Sequence, residues 1–222
     1  MTTAAMTTLK IDMVSDVVCP WCIIGYQRLQ QALKQYPDLK VELTFQPFEL
    51  NPNMPPEGQN INEHIAEKYG SDEATIEHNR QQMRSLGMDL GITFDTDAGS
   101  RIWNTFMAHK LLMRAEQLGR QTPLAMALFE AYFSERKNVS DPEILVDIAA
   151  KNGLSREEAQ TALDDEALGQ QVRALEDDYR RVGVSAVPTF IFNDMYSVSG
   201  AQDPVVLGKV IAEILDKNDS RG

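Results

Sequence analysis

Both cysteines of the chain lie within four residues, in the order Cys19, Pro20, Trp21, Cys22. A C-x-x-C pair at the junction of a strand and a helix is a specific signal for thiol–disulfide exchange. Positions three apart on a first helical turn share one face, so two sulfurs there can form and break a bond with little movement. At a helix N-terminus Cys19 would be favoured as a thiolate, and the more buried Cys22 would react second.

Two other interpretations of this cysteine pair are weaker. A structural zinc site needs about four ligands, but there is no second C-x-x-C, and His64, His78 and His109 are scattered along the chain. The cysteines could instead be small apolar packing residues, although their spacing at a helix start argues against this. We therefore expect no metal and no bound organic cofactor.

The composition indicates an ordinary globular protein with an acidic surface. The 222 residues are 43% hydrophobic and carry a formal net charge of -12, which argues against a nucleic-acid partner. Residues 1–10 lack the apolar segment of a signal peptide, and no apolar run approaches the ~18 residues of a membrane span. We expect a cytoplasmic protein with no membrane partner.

The first 50 residues read as strand, helix, strand. Residues 9–16 have strand character, apolar residues between 23 and 33 recur at helical spacing, and residues 40–50 alternate apolar with polar side chains. This places the cysteines where the first strand meets the helix.

Helical signals then dominate to about residue 182. They predict one helix from Ser71 to Gly87 and another from about Ser100 to Gly119. Further helix starts are predicted at Thr122-Pro123, at Asp141-Pro142 and at a capping box of Ser155 with Glu158.

Strand character returns near the end of the chain. Residues 189–199 predict a hairpin turning at Asn193 and Asp194, and Asp203-Pro204 precedes a last helix from Val205 to about Leu215.

No Gly/Ser linker separates these regions, so the helical block is predicted to be an insertion. The fold class is α/β: a discontinuous domain of residues 1–60 and 183–222, bordered by a helix near 165–182, with an all-helical insertion at 61–182.

The segments SDVVCPWCIIG, FQPFELNP and GVSAVPTFIFNDMYSVSGAQ together resemble the DsbA family of thioredoxin-fold proteins, and specifically its FrnE-like cytoplasmic branch. The resemblance spans about residues 9–215 and implies a thioredoxin fold with a DsbA-like helical insertion. It implies a thiol–disulfide oxidoreductase or isomerase that acts on protein disulfides. In this scheme Cys19 is the nucleophile and Cys22 resolves the mixed disulfide.

The resemblance also assigns substrate-facing residues. It implies that Pro188 is cis and packs against the sulfurs, and that Val187 offers its backbone to an extended substrate. From the residues alone, a trans Val187-Pro188 bond would be expected by base rate. Pro20 and Trp21 would belong to the substrate-facing surface, although a Trp21 ring folded onto the insertion is equally open.

The same superfamily leaves two other functions open. Kappa-class glutathione transferases and 2-hydroxychromene-2-carboxylate isomerases resemble the chain in fold but typically carry serine at the position of Cys19, which favours redox chemistry here. A chaperone-like protein with incidental cysteines is a further alternative. Expected partners are disulfide-containing or unfolded proteins, with glutathione open as a redox partner, and both a monomer and a homodimer fit the sequence.

Two other side chains are candidates for proton transfer. Glu49 follows the second strand and could accept a proton from Cys22 if it is buried, but a solvated position is the expectation. His109 lies in an aromatic-rich helical segment, where a packing role is expected ahead of a catalytic one.

Overall fold

The computed structural model describes residues 8–219, with side chains to residue 217. In this range the strands are β1 (Thr8–Ser15), β2 (Lys40–Pro47), β3 (Gln59–Asn60), β4 (Arg101–Ile102), β5 (Thr189–Phe192) and β6 (Tyr196–Ser199). The helices of the same range are α1 (Pro20–Leu33), α2 (Ile61–Tyr69), α3 (Glu73–Leu90), α4 (Phe106–Gln117), α5 (Gln121–Phe133), α6 (Pro142–Lys151), α7 (Arg156–Asp164), α8 (Glu166–Arg181) and α9 (Pro204–Asp219).

A four-stranded mixed sheet in the order β2-β1-β5-β6 carries the first helix and the last. The central strand β1 pairs parallel with β2 and antiparallel with β5. Leu9, Ile11 and Met13 of β1 are fully buried at alternate positions, as the strand period requires. The thioredoxin-like α/β fold is therefore confirmed.

The predicted hairpin near the end of the chain is present. β5 and β6 pair antiparallel around Asn193 and Asp194, whose φ angles are 50° and 56°. Asn and Asp are the non-glycine residues that most readily adopt this left-handed conformation, and a two-residue turn of this kind matches strand twist. The turn is also fixed to β1, because the Lys10 ammonium donates to the Asp194 carboxylate at 2.7 Å.

Helices α2 to α8 lie between β2 and β5 in the chain, as the helical insertion requires. One hydrophobic core nevertheless extends from β1 and α1 into α4, α5, α6 and α7. The boundaries 61 and 182 stay predictions, since no break in this core marks them.

Several local signals place helix starts correctly. Asp141 caps α6 by accepting from the Glu143 and Ile144 N–H groups, and Ser155 and Glu158 form the complete capping box of α7. Each short side chain satisfies N–H groups that the first helical turn leaves unpaired.

Two predicted helix starts are wrong. The segment expected to be helical from Ser100 first forms β4, which pairs with β3, and α4 begins only at Phe106. The predicted cap at Thr122 is also wrong, because α5 already begins at Gln121. The Gln121 amide holds that start in place by bonding both the N–H and the carbonyl of Phe45, each at 2.8 Å.

The helix expected from Ser71 to Gly87 is shifted towards the C-terminus. Asp72 caps its start, and Gly91, with φ at 73°, ends it after Leu90. Gly87 lies inside the helix, where a Cβ would come within 2.5 Å of the Phe94 ring. This glycine therefore permits close packing and does not end the helix. None of the helices described is long and apolar enough to cross a membrane.

Candidate active site

Cys19 lies immediately before α1, at its N-cap position. Its backbone is extended, with φ at -92° and ψ at 112°, and Pro20 begins the helix. Proline suits this position because its missing N–H would have no helical partner. The thiol thus lies at the positive end of the helix dipole, which favours negative charge on sulfur.

Cys22 lies one helical turn further and is fully buried, whereas Cys19 is 4% exposed. Both thiols are free. Burial, together with the neighbouring Cys19, raises the pKa of the Cys22 thiol well above its usual range. Cys22 is therefore a protonated thiol at neutral pH and cannot attack another sulfur until its proton is removed.

The chain segment before β5 lies against the Cys19 sulfur. The Val187-Pro188 bond is cis, and the Cys19 thiol donates to the Val187 carbonyl at 3.7 Å. Pro188 is buried beside Gly25 of α1, where an added Cβ would lie 2.9 Å from the proline ring. The structure thus brings Cys19 together with Val187 and Pro188, which lie far from it in the chain.

A cleft of about 980 Å³ opens beside Cys19, between α1 and the helices of the insertion. Cys19, Pro20, Trp21 and Val187 line it, and Trp21 is 46% exposed. Trp21 is therefore accessible to a substrate. The remaining wall is largely apolar and aromatic; it includes Phe48, Ile76, Met83, Phe94, Ile102, Tyr132 and Phe133.

Glu49 is buried, with 2% of its surface exposed, so the expectation of a solvated residue is wrong. Its carboxylate forms an ion pair with Arg173 of α8 and accepts from the Asn104 amide at 3.1 Å. The Glu49 N–H donates to the Glu176 carboxylate at 2.7 Å. Arg173 and Asn104 offset the cost of burying the charge of the Glu49 carboxylate.

Glu176 lies on the acidic helix α8, yet its side chain is fully buried. Burial raises the pKa of its carboxyl group, although His109 and the two arginines Arg173 and Arg180 oppose the rise. Periodicity could have indicated this, because Leu168, Val172 and Glu176 recur at every fourth position of one helix face.

Asp16 and His109 form a second buried pair next to the cysteines. The Asp16 Oδ1 and His109 Nε2 atoms are 3.6 Å apart, and both side chains are almost completely buried. Neither atom has a hydrogen-bond partner, although Asp16 Oδ2 accepts from the Leu50 N–H at 2.8 Å. A buried polar atom left unpaired costs about 1–3 kcal/mol. In the sequence, the only sign of this pairing is the position of Asp16, three residues before Cys19.

The other two histidines lie elsewhere, on α2 and α3. His64 contacts the Gln59 amide, and His78 contacts Gln82. Among residues 8–219, no group of three or more His, Cys, Asp or Glu side chains is arranged to hold a metal ion.

Comparison with known proteins agrees with this fold. The family model described as a DSBA-like thioredoxin domain matches residues 10–212. The crystal structure of a probable DsbA oxidoreductase from Streptomyces coelicolor is 30% identical, with a TM-score of 0.86 over 92% of this chain and 89% of that one.

More distant solved structures share the fold alone. A 2-hydroxychromene-2-carboxylate isomerase is 14% identical, with a TM-score of 0.68 over 96% of this chain and 99% of that one. The cytosolic disulfide reductase DsbM from Pseudomonas aeruginosa, solved with GSH, is 19% identical, with a TM-score of 0.57 over 93% and 99% of the two chains.

Strand–helix geometry, a C-x-x-C pair at the start of the first helix and a cis-proline segment against the first sulfur define a protein of the thioredoxin fold. The chain belongs to the DsbA-like thioredoxin family.

Proposed function

We propose that this protein is a thiol–disulfide oxidoreductase and isomerase of protein disulfides, with Cys19 as nucleophile and Cys22 as resolving thiol. One observation carries the proposal: the Cys19 sulfur lies at the N-terminus of α1 and 3.7 Å from the Val187 carbonyl, at the edge of an open cleft. The nucleophile is thus placed where negative charge is favoured and where a substrate can reach it.

The reaction proceeds through a mixed disulfide. The Cys19 thiolate attacks one sulfur of the substrate disulfide, and the other substrate sulfur leaves as a thiolate. Cys22 then attacks the Cys19 sulfur, which forms the Cys19–Cys22 disulfide and releases the second substrate thiol. Two electrons pass to the substrate. In isomerisation a second substrate thiol attacks the mixed disulfide instead, and no net electrons are transferred.

The substrate would lie along the segment that precedes β5. An extended peptide can pair with the Val187 backbone as an added strand, while the pyrrolidine of Pro20 and the indole of Trp21 provide apolar contact. We propose disulfide-containing or unfolded proteins as substrates in the cytoplasm. Glutathione is proposed as the redox partner, a molecule that the Pseudomonas aeruginosa DsbM structure contains.

A second candidate is a glutathione-linked isomerase of the 2-hydroxychromene-2-carboxylate type. The observation that favours it is the cleft of about 980 Å³, a volume that suits a small molecule. The cysteine at position 19 favours the first candidate. Thiol–disulfide exchange requires a sulfur at this position, whereas the 2-hydroxychromene-2-carboxylate isomerases typically carry serine there.

Replacing Cys19 separates the two candidates. We expect Cys19→Ser to abolish insulin reduction and the reactivation of scrambled ribonuclease, since the attacking thiolate is gone. The matched variant Cys22→Ser keeps that thiolate and should accumulate a mixed disulfide, visible by mass. A folded Cys19→Ser protein that still reduces insulin would contradict the proposal, and one that retains glutathione-dependent isomerisation would support the second candidate.

A further inference from the structure

We propose that the outer edge of β2 joins two copies of this chain, with the two β2 strands antiparallel and Val41 opposite the partner's Val41. The pairing extends the two sheets into one sheet of eight strands, four from each copy. Such a dimer is closed, because both copies use the same surface and no edge of β2 is left for a third copy. The inference concerns a surface away from the cysteines and does not rest on the proposed function.

β2 is an end strand of its sheet. β1 lies along its inner edge, and in the range 8–219 no strand lies along its outer edge. A groove of about 750 Å³ follows that outer edge. Tyr26 and Leu33 of α1 form one wall of the groove, and Glu116 of α4 and Gln121 of α5 form the other. An open strand edge offers backbone N–H and C=O groups to another strand.

Gln121 shows which backbone groups of β2 point outward. Its side-chain amide bonds both the N–H and the carbonyl of Phe45, each at 2.8 Å, so these Phe45 groups point away from β1. Successive residues of a strand direct these groups to opposite edges, so those of Val41 and Leu43 also point outward. Gln121 therefore occupies the outer edge at Phe45 and leaves it open at Val41 and Leu43.

The charged side chains of β2 are complementary in this register. With Val41 opposite the partner's Val41, Lys40 lies opposite the partner's Glu42, and Glu42 lies opposite the partner's Lys40. Within one copy the Lys40 ammonium is already 2.6 Å from the Glu42 carboxylate. Pairing therefore forms a cluster in which two ammonium and two carboxylate groups alternate. Opposite charges that face each other across antiparallel strands stabilise the pair.

The neighbouring registers are less favourable. A symmetry axis at Lys40 or at Glu42 places two like charges directly opposite each other, which destabilises a strand pair. An axis at Leu43 requires the backbone groups of Phe45, which are already bonded to a side chain. The axis at Val41 avoids both costs, so the sequence of β2 selects this register.

The α1 side of the paired strands is apolar. Leu39, Val41 and Leu43 alternate along this side of the chain, and each is only half-buried in the single copy. In the proposed register Leu39 lies opposite the partner's Leu43, and Val41 lies opposite its own equivalent. Each copy thus covers apolar surface of the other, which favours association.

The proposed interface lies away from the candidate active site. Ser15 of β1 lies beside Pro47 of β2, and Cys19 follows β1 at this end of the sheet. Val41 lies near the other end of β2. Dimerisation therefore leaves the clefts of both copies accessible, and the antiparallel arrangement places them at opposite ends of the joined sheet.

Exchanging the two charges tests the register. Sedimentation equilibrium at low salt, where exposed ion pairs are least screened, gives the dissociation constant of the dimer. Glu42→Lys and Lys40→Glu each place like charges opposite each other at two symmetric positions. The double variant Lys40→Glu/Glu42→Lys restores opposite charges and the original net charge. Glu57→Lys, at an exposed residue of the loop before β3, is the matched control for the change in net charge.

We expect the unmodified protein to dimerise, and each single variant to raise the dissociation constant about tenfold or more. The double variant should return to within about threefold of the unmodified protein, and Glu57→Lys should match it. An unmodified protein that stays monomeric would overturn the proposal. A dimer that both single variants leave unchanged, or that the double variant does not restore, would overturn it as well.

Hydrogen exchange of the unmodified protein, followed by NMR, covers variants that fail to fold. The Val41 and Leu43 amides should exchange about tenfold or more slowly at high than at low protein concentration, because only the dimer pairs them. The Phe45 amide, bonded to Gln121, is the control and should exchange slowly throughout. Slow exchange of Val41 at every concentration would assign the edge to another part of the same chain and overturn the proposal. Fast exchange at every concentration would leave the edge unpaired and overturn it too.

Discussion

The two cysteines are one helical turn apart, yet burial gives them different chemistry. Cys19 lines the cleft at the helix start, whereas Cys22 is enclosed by the core and its thiol pKa is raised. The same pair therefore contains one sulfur that faces the cleft and one that the core encloses, as the proposed roles of nucleophile and resolving thiol require.

This difference predicts selective labelling at the residue scale. Iodoacetamide at pH 7 should modify Cys19 at least tenfold faster than Cys22, because only thiolates react and a raised pKa keeps the Cys22 thiol protonated until the pH approaches that pKa. Peptide mapping by mass spectrometry measures both rates. Unfolding in denaturant serves as the control and should make the two rates nearly equal. Equal labelling of the folded protein would contradict the assignment of roles.

At the scale of elements, the site depends on how closely α1 approaches the segment before β5. Gly25 makes this approach possible: an added Cβ would lie 2.9 Å from the Pro188 ring and 3.2 Å from the Phe190 ring. Glycine inside a helix costs about 0.5–1 kcal/mol relative to alanine. Close packing is what this helix gains in return.

We therefore expect Gly25→Ala to lower the free energy of unfolding by about 1–3 kcal/mol through overpacking. Because α1 must move away from Pro188, Cys19-dependent insulin reduction should fall as well. Urea unfolding and an insulin assay measure the two effects. The control is Gly208→Ala in α9, where the new Cβ meets only the flexible amide end of Gln35 at 3.3 Å. A Gly25→Ala protein as stable as the control would show that α1 does not pack closely against Pro188.

For the whole molecule, the central feature is one core that includes both the sheet and the helical insertion. Buried residues of β1 and α1 belong to the same cluster as those of α4 to α7. The ion pair of Glu49 with Arg173 and the Asp16–His109 contact also join the two regions. The insertion thus forms one side of the site and shares the stability of the sheet.

A shared core predicts a single cooperative unfolding transition. Trp21 lies beside the cysteines and Trp103 lies between β4 and α4, so each reports on one region. We expect the fluorescence of Trp21→Phe and Trp103→Phe proteins to give coincident urea transitions that also coincide with far-UV circular dichroism. Separate midpoints for the two tryptophans would show that the insertion unfolds independently.

Sequence alone determined the features that depend on near neighbours in the chain. The C-x-x-C motif at a helix start, the capping box of Ser155, the turn at Asn193 and the alternation of β1 all follow from local backbone chemistry and side-chain periodicity. The family resemblance added the cis bond before Pro188, which base rates alone would have made trans.

Only the tertiary structure decided which distant groups meet. Asp16 pairs with His109 and Glu49 pairs with Arg173 because α4 and α8 pack against the ends of β1 and β2. No local pattern encodes such contacts, and a carboxylate such as Glu49 is expected in solvent unless its partners are known. The local sequence thus determined the C-x-x-C motif at a helix start. The packing of the insertion determined which charged side chains are buried beside it.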